Sequence, residues 1–313
     1  MNPKLSSVAT RCGGILFNLW ILTIASFGIV YLAPGDPVLK LLRIDEVAVT
    51  QEEIAALREE LGFNDNILIQ YARYLGGLLQ GDLGTSAITS KPVITELTQA
   101  LPATFILSIV SLAVTILVVL FSGTVAALFR RRLPDKIIMA GCYLGSAMPT
   151  FWLALVLINL FAVKWGILPA SGWKGGKGLW LPVICLVVAI APPFIKIFRN
   201  RFVEISDMGF IRSARTRGVS ERLIIAKHIT RGSLIPVITM LAVSFGSLLS
   251  GSIVVEIVFS LPGVGMLTMD AITNRDYAVI RGVILLVGIA IVLIMQLSDL
   301  LCRLVDPSLR RQA

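Results

Sequence analysis

The chain has 313 residues, 56% of them hydrophobic and 15% charged, with a mean hydropathy of +0.86 and a formal net charge of +9. That balance is too apolar for a soluble two-domain enzyme. The cations are not interleaved with aromatics on a soluble face, so nucleic-acid binding is set aside as well.

Crossing the hydrocarbon takes roughly 20 mostly apolar residues per helix. Six segments qualify: about Ile15–Ala33, Thr104–Phe129, Ile137–Val163, Leu179–Phe198, Ile235–Phe259 and Val279–Leu304. The expected fold is all-α and polytopic, with a small helical extracytoplasmic domain between the first two spans. Three parts follow: residues 1–33, residues 34–103, and a five-helix core at 104–313 with a cytosolic loop at 199–234. Lys4 and Arg11 precede the first apolar run in the manner of a signal peptide. The run ends in Ala33-Pro34-Gly35-Asp36-Pro37 with no small-x-small cleavage site, and is read as a retained span.

Orientation follows from the basic residues. With the N-terminus in the cytosol, the cytosolic segments hold 18 of the 28 Lys and Arg residues. They are Lys4, Arg11, the Arg130–Lys136 turn, nine between Lys196 and Arg231, and Arg303, Arg310 and Arg311. The 34–103 segment on the other side has ten acids against five bases. Both termini are therefore expected inside.

That outer segment is too long for a simple connector. Thr50-Gln51-Glu52-Glu53 reads as a capping box, followed by Ile54, Leu57 and Leu61 at helical spacing and a stop at Gly62. A second helix carries Ile67, Tyr71, Leu75 and Leu78 on one face and breaks at Gly81. The cap is either a passive spacer or a contact for something that delivers substrate. Further on, Pro149 and the pair Pro192-Pro193 predict kinks or local breaks in the third and fourth spans.

Between the fourth and fifth spans the chain turns basic. Ser206–Thr216 reads as a short helix and Gly218 as a positive-φ turn. Ser220 is a plausible N-cap, with Glu221 in the next first turn and Arg231 closing the last. A bent pair of short helices at the cytosolic surface could act as a lever for a soluble partner. It could equally be an interfacial segment attracted to anionic lipid. The fifth span is rich in small residues, among them Ser244, Ser247, Ser250 and Gly251, which suits close helix packing or a lined pathway. Glu256 and Asp299 are ionisable groups at membrane depth, with either a structural role or a place on that pathway.

Nothing in the chain argues for catalysis. His228 is its one histidine, which excludes a His-pair zinc site and a Cys₂His₂ cluster. Cys12, Cys142, Cys185 and Cys302 fall in or beside spans and read as packing residues. The Gly172–Gly178 run lacks the earlier glycine and the final Ser or Thr of a phosphate loop. ATP and magnesium must be held elsewhere, and no cofactor is expected in this chain.

Several runs resemble one family. Arg212-Ser213-Ala214-Arg215-Thr216-Arg217-Gly218 is similar to the EAA loop of bacterial ABC importer permeases, in the dipeptide/oligopeptide/nickel branch. Matching runs include Pro34–Pro37, Gly81-Asp82-Leu83-Gly84-Thr85-Ser86, Lys91-Pro92-Val93, Leu101–Thr104, Met148–Ala154, Phe259–Gly265, Arg275-Asp276-Tyr277 and Asp306-Pro307. The chain resembles the first of the two permease subunits. The resemblance implies a second permease, two cytosolic ATPase subunits and an extracytoplasmic binding protein as partners, in the bacterial inner membrane. On this chain, Arg212, Ser213, Ala214, Arg215, Arg217, Gly218, Ser220 and Glu221 would sit in an ATPase groove. Ser247, Ser250, Gly251, Glu256 and Asp299 remain candidates for pathway or interface. Two departures stand out: Arg212 replaces the Glu that opens the family pattern, and Thr230-Arg231 replaces its later Leu-Pro.

The wording around Asn274–Tyr277 and Ile167-Leu168-Pro169 leans to nickel or a metal chelate as cargo, with di- or oligopeptides as the alternative. Ala278 and Arg281 depart from the usual residues after that Tyr. A secondary transporter is the rival outside the ABC class, but no internal repeat is visible and the spans are poor in midplane ionisable groups.

Overall fold

The computed structural model describes residues 3–32, 59, 64–172, 176–234, 236–237, 240, 248 and 252–305. The described chain is helical apart from turns and one isolated β-bridge, Thr85 to Pro92. In chain order the helices are α1 (Pro3–Leu32), α2 (Ile67–Leu79), α3 (Val93–Leu128), α4 (Leu133–Ala147), α5 (Thr150–Leu157), α6 (Trp180–Ser206), α7 (Gly209–Thr216), α8 (Glu221–Leu223), α9 (Ile253–Val258), α10 (Val264–Thr273) and α11 (Tyr277–Val305). Wide π-type turns extend α5 through Ile158–Lys164 and α8 through Ile224–Ile229.

Among the described residues four helices are long and apolar enough to cross a membrane: Gly13–Leu32 within α1, α3, α6, and Tyr277–Gln296 within α11. The α4–α5 pair counts as a fifth if it is one span, but its two halves are bent by 108°. The sequence predicts a kink or local break at Pro149, and the outcome is the break. Pro149 lacks an N–H and pushes Met148 out of the helical region, to φ −78 and ψ 127, so the α4 hydrogen-bond ladder ends there. Pro192 and Pro193 have no such effect, since α6 runs through both as a continuous helix. Most of the expected fifth span, Ile235–Phe259, lies outside the described residues, as do the Thr50–Glu53 capping box and Gly62. The expected helix from Ile67 is present as α2, capped by the Asn66 side chain accepting the Leu68 N–H at 3.0 Å.

The chain divides into two compact units, residues 1–102 with 266–292, and residues 103–265 with 293–313. In the first, Tyr71 and Tyr74 of α2 reach Thr23 and Ser26 of α1 through hydroxyl hydrogen bonds of 2.8 and 3.2 Å. Phe27 packs against both tyrosine rings. Ser86 donates to Asp276 at 2.5 Å, and Asp276 accepts the Val279 N–H in the first turn of α11. The Gly81–Ser86 run is thereby tied to the head of the last helix.

In the second unit α6 is the central rod, with 61% of its most apolar stretch buried against 6% for α1. Leu181, Cys185, Phe194, Phe198 and Phe202 all face its core. Burial pushes the same face to close approach with α4: a Cβ on Gly145 would lie 3.0 Å from the Val188 carbonyl oxygen.

Candidate functional site

The basic segment after α6 forms a three-part elbow. The sequence predicts one helix over Ser206–Thr216, but α6 itself continues to Ser206 and the chain turns at Asp207-Met208 before α7 begins at Gly209. Arg217 and Gly218 end α7, Gly218 with φ +78, a conformation that L side chains adopt only with strain. No atom lies within 4 Å of a Cβ built there, so the demand for glycine comes from the backbone and not from crowding. Beyond it Ser220 occupies the N-cap position, though its side chain makes no capping bond. The helix does not stop at Arg231 as expected; it continues through 230–234.

The elbow is anchored from below by apolar contacts. Ile211 and Ala214 of α7, and Ile224 and Ile229 beyond the bend, are buried in one cluster with Phe202 and Ile205 of α6. A Cβ on Gly232 would meet the Ile205 side chain at 2.8 Å, so the two arms pass close at that point.

Across the bend, Arg215 and Glu221 form a two-point ion pair, with Nε to Oε2 at 3.1 Å and Nη2 to Oε1 at 2.7 Å. Arg215 also donates to the Ser206 carbonyl at 3.4 Å. One guanidinium therefore links the end of α6, α7 and the first turn of α8. The hydrogen bonds from Arg215 hold the Glu221 carboxyl below the usual carboxylate range, and Glu221 in turn raises Arg215. Glu221 stands in the first turn as predicted, but its carboxyl is engaged by a cation and not left to the helix dipole. Arg212, Ser213, Arg217 and Ser220 are exposed around this pair, with Phe210 and Leu223 as half-exposed apolar knobs beside them.

Sequence reasoning passed over a second anchor. Asp135, in the first turn of α4, accepts from Arg199 of α6 at 3.1 and 2.6 Å and from the Arg131 N–H at 2.8 Å. Arg130 of the same turn reaches Asp207, where α6 gives way to the elbow, at 3.3 Å. The signal was an acid two residues after Leu133, in a first turn beside three arginines.

Glu256 is fully buried in α9. Its Oε1 accepts from the hydroxyls of Thr104 and Ser252, both at 2.7 Å, and its Oε2 accepts the Gly265 N–H at 2.7 Å. Thr104 accepts in turn from the Val264 N–H at 2.8 Å. A Cβ on Gly263 would lie 2.3 Å from Oε2, so the Leu261–Gly265 turn folds over the carboxyl only because that position is bare. The group organises a turn. Ser247, Ser250 and Gly251 lie outside the described residues, as does the side chain of Asp299. Among the described residues no group of three or more His, Cys, Asp or Glu side chains is gathered to hold a metal.

Two family descriptions cover most of the chain. Residues 119–311 match the binding-protein-dependent transport system inner membrane component, and residues 5–108 match its N-terminal membrane component. The chain is 36% identical over 306 residues to a glutathione transport system permease protein of Salmonella paratyphi A, covering 98% of this chain and 99% of that one. It is 35% identical over 306 residues to the protein of the same name in Escherichia coli, with the same coverage. A solved inward-facing conformation of the MetNI methionine ABC transporter overlays 70% of this chain and 100% of its own with a TM-score of 0.59, at 20% identity.

Proposed function

The chain belongs to the binding-protein-dependent transport system inner membrane components, the permease subunits of ABC importers, and from that premise we propose that it forms half of a pathway for peptide-like substrates. It is a multi-pass, non-catalytic membrane subunit; in such importers ATP is hydrolysed by partner subunits. Its expected partners are a second permease, two ATPases and an extracytoplasmic binding protein, in the bacterial inner membrane. The six-span arrangement with both termini inside is supported by the 18 of 28 basic residues that it assigns to the cytosol.

The observation that carries the coupling role is the elbow itself. A lever must keep its angle under load and remain at a watery surface. The Gly218 bend is locked by the Arg215–Glu221 pair and by four buried apolar side chains, while its outer face is cationic. ATP-driven closure of the ATPases would push on Arg212–Glu221, and α6 would carry the push into the membrane core.

For cargo, the names of the relatives favour the peptide alternative over the nickel or metal-chelate expectation. Glutathione is itself a small peptide, and a binding protein can set selectivity among such cargoes. Uptake into proteoliposomes holding the assembled importer separates the two: labelled dipeptide or glutathione should accumulate with ATP, and radioactive nickel should not. ATP-dependent nickel accumulation without peptide uptake would reverse the assignment.

A further inference from the structure

A stripe of hydroxyls runs along α3 from the point where Thr104 meets Glu256. Ser108, Ser111 and Thr115 follow Thr104 at steps of four, three and four, which sets all of them on one helix face. Ser108 and Ser111 are 0% exposed and Thr115 is 1% exposed, and none of the three hydroxyl oxygens has a hydrogen-bond partner among the described residues. Thr104, by contrast, both donates to Glu256 and accepts from Val264. The other side of α3 carries Leu117 and Phe121, 65 and 74% exposed, as suits a lipid-facing surface.

A buried serine in a helix has an easy local remedy, a bond back to the carbonyl one turn earlier. Ser233 takes it on Ile229 at 2.7 Å, and Ser206 takes it on Phe202 at 2.7 Å. The α3 hydroxyls do not. Left unpaired in a dry interior they are destabilising, and alanine or valine would fill the same space without that penalty. The stripe from Thr104 to Thr115 covers twelve residues, or about 16 Å of helix, half the thickness of a typical hydrocarbon core. Such groups find partners only when that face opens to water or to cargo.

We propose that Ser108, Ser111 and Thr115 form a polar track for the amide groups of a peptide substrate, closed in this conformation and opened during turnover. Hydroxyls donate and accept, so they match both the N–H and the C=O of a peptide bond. Being neutral, they hold cargo weakly enough to let it leave. The inference rests on the permease reading above and assigns that reading its first contact residues.

The test uses the assembled importer in proteoliposomes, with Ser108→Cys, Ser111→Cys or Thr115→Cys in a chain whose four native cysteines are alanine. A membrane-impermeant thiol reagent should label these positions about tenfold faster during ATP-driven dipeptide turnover than at rest, because the open state is a minor one (roughly 10% or less) in the idle protein. Leu117→Cys, on the opposite side, should show no such change. Equal rates with and without turnover at all three stripe positions overturn the proposal. In a second arm, the combined Ser108→Ala, Ser111→Ala and Thr115→Val variant should melt no lower than wild type, keep its ATP hydrolysis, and lose about tenfold in dipeptide uptake. A variant of equal or greater stability that transports like wild type reduces the stripe to packing and also overturns it. Wild-type vesicles that take up no dipeptide count against the permease reading instead, and labelling with ATP and binding protein alone then decides the fate of the stripe.

Discussion

At the scale of single residues, the chain uses its buried polar groups as fasteners. Glu256 accepts from two hydroxyls and at least one backbone N–H, so removing it strands at least three donors in a dry interior. Glu256→Ala should lower stability by at least about 3 kcal/mol, at roughly 1–3 kcal/mol per stranded buried group, read as a drop in melting temperature of the purified protein. An unchanged melting temperature would mean that the turn over Glu256 is held by something else. The Arg215–Glu221 pair is a milder fastener, since both side chains are about half exposed. Its folded-state carboxyl is held below the ordinary value, so its stabilisation is present above the unfolded value of about 4.3 and fades as pH falls through the lower folded value. Glu221→Gln should therefore weaken the elbow by under about 1 kcal/mol at neutral pH and abolish its acid-sensitive component below about pH 4. Hydrogen exchange across residues 209–224, followed with pH, measures both. Glu256 was legible in the sequence as a costly buried acid; that it folds a glycine turn was not, because Gly265, nine residues on, reaches it only through the Leu261–Gly265 turn and Thr104 lies 152 residues away along the chain.

At the scale of elements, what could be read from sequence was what depends on neighbours in the chain. The Ile67 helix, the Gly218 turn and the apolar spans follow from spacing, φ preference and length. The failures all involved a contact with another element. Two equal-looking proline signals had opposite outcomes: Pro149 breaks the α4–α5 pair while Pro192 and Pro193 are absorbed into α6, whose face is buried on many sides. Likewise α6 runs into the segment expected to begin a new helix, because Phe202 and Ile205 are held in the core that also receives Ile211 and Ile224. The α4–α6 junction is fixed by Asp135 and Arg199, with side chains 6 and 19% exposed. Breaking one side of so buried a pair costs about 3 kcal/mol or more. Asp135→Ala and Arg199→Ala should each lower the melting temperature, and the double variant should lose no more than the worse single one. Additive losses would show that the two residues act separately.

At the scale of the whole molecule, composition and the distribution of cations already pointed to a polytopic membrane protein, and the ordered motifs pointed to an importer permease; family and fold agree. Cargo was the least legible feature. Selectivity in such systems need not be written in the permease, and the departures at Ala278 and Arg281 gave no guide to it. The central claim is mechanical, that the bend at Gly218 transmits ATPase closure to the spans. A Cβ at Gly218 meets nothing within 4 Å, so Gly218→Val acts on the backbone preference, which disfavours the bent form by about 1–2 kcal/mol, or about tenfold in population. The most direct measurement is the ratio of substrate taken up to ATP hydrolysed, in proteoliposomes carrying the assembled importer with this variant. The ratio should fall about tenfold with the variant still assembled in the membrane; a ratio equal to wild type would contradict the lever.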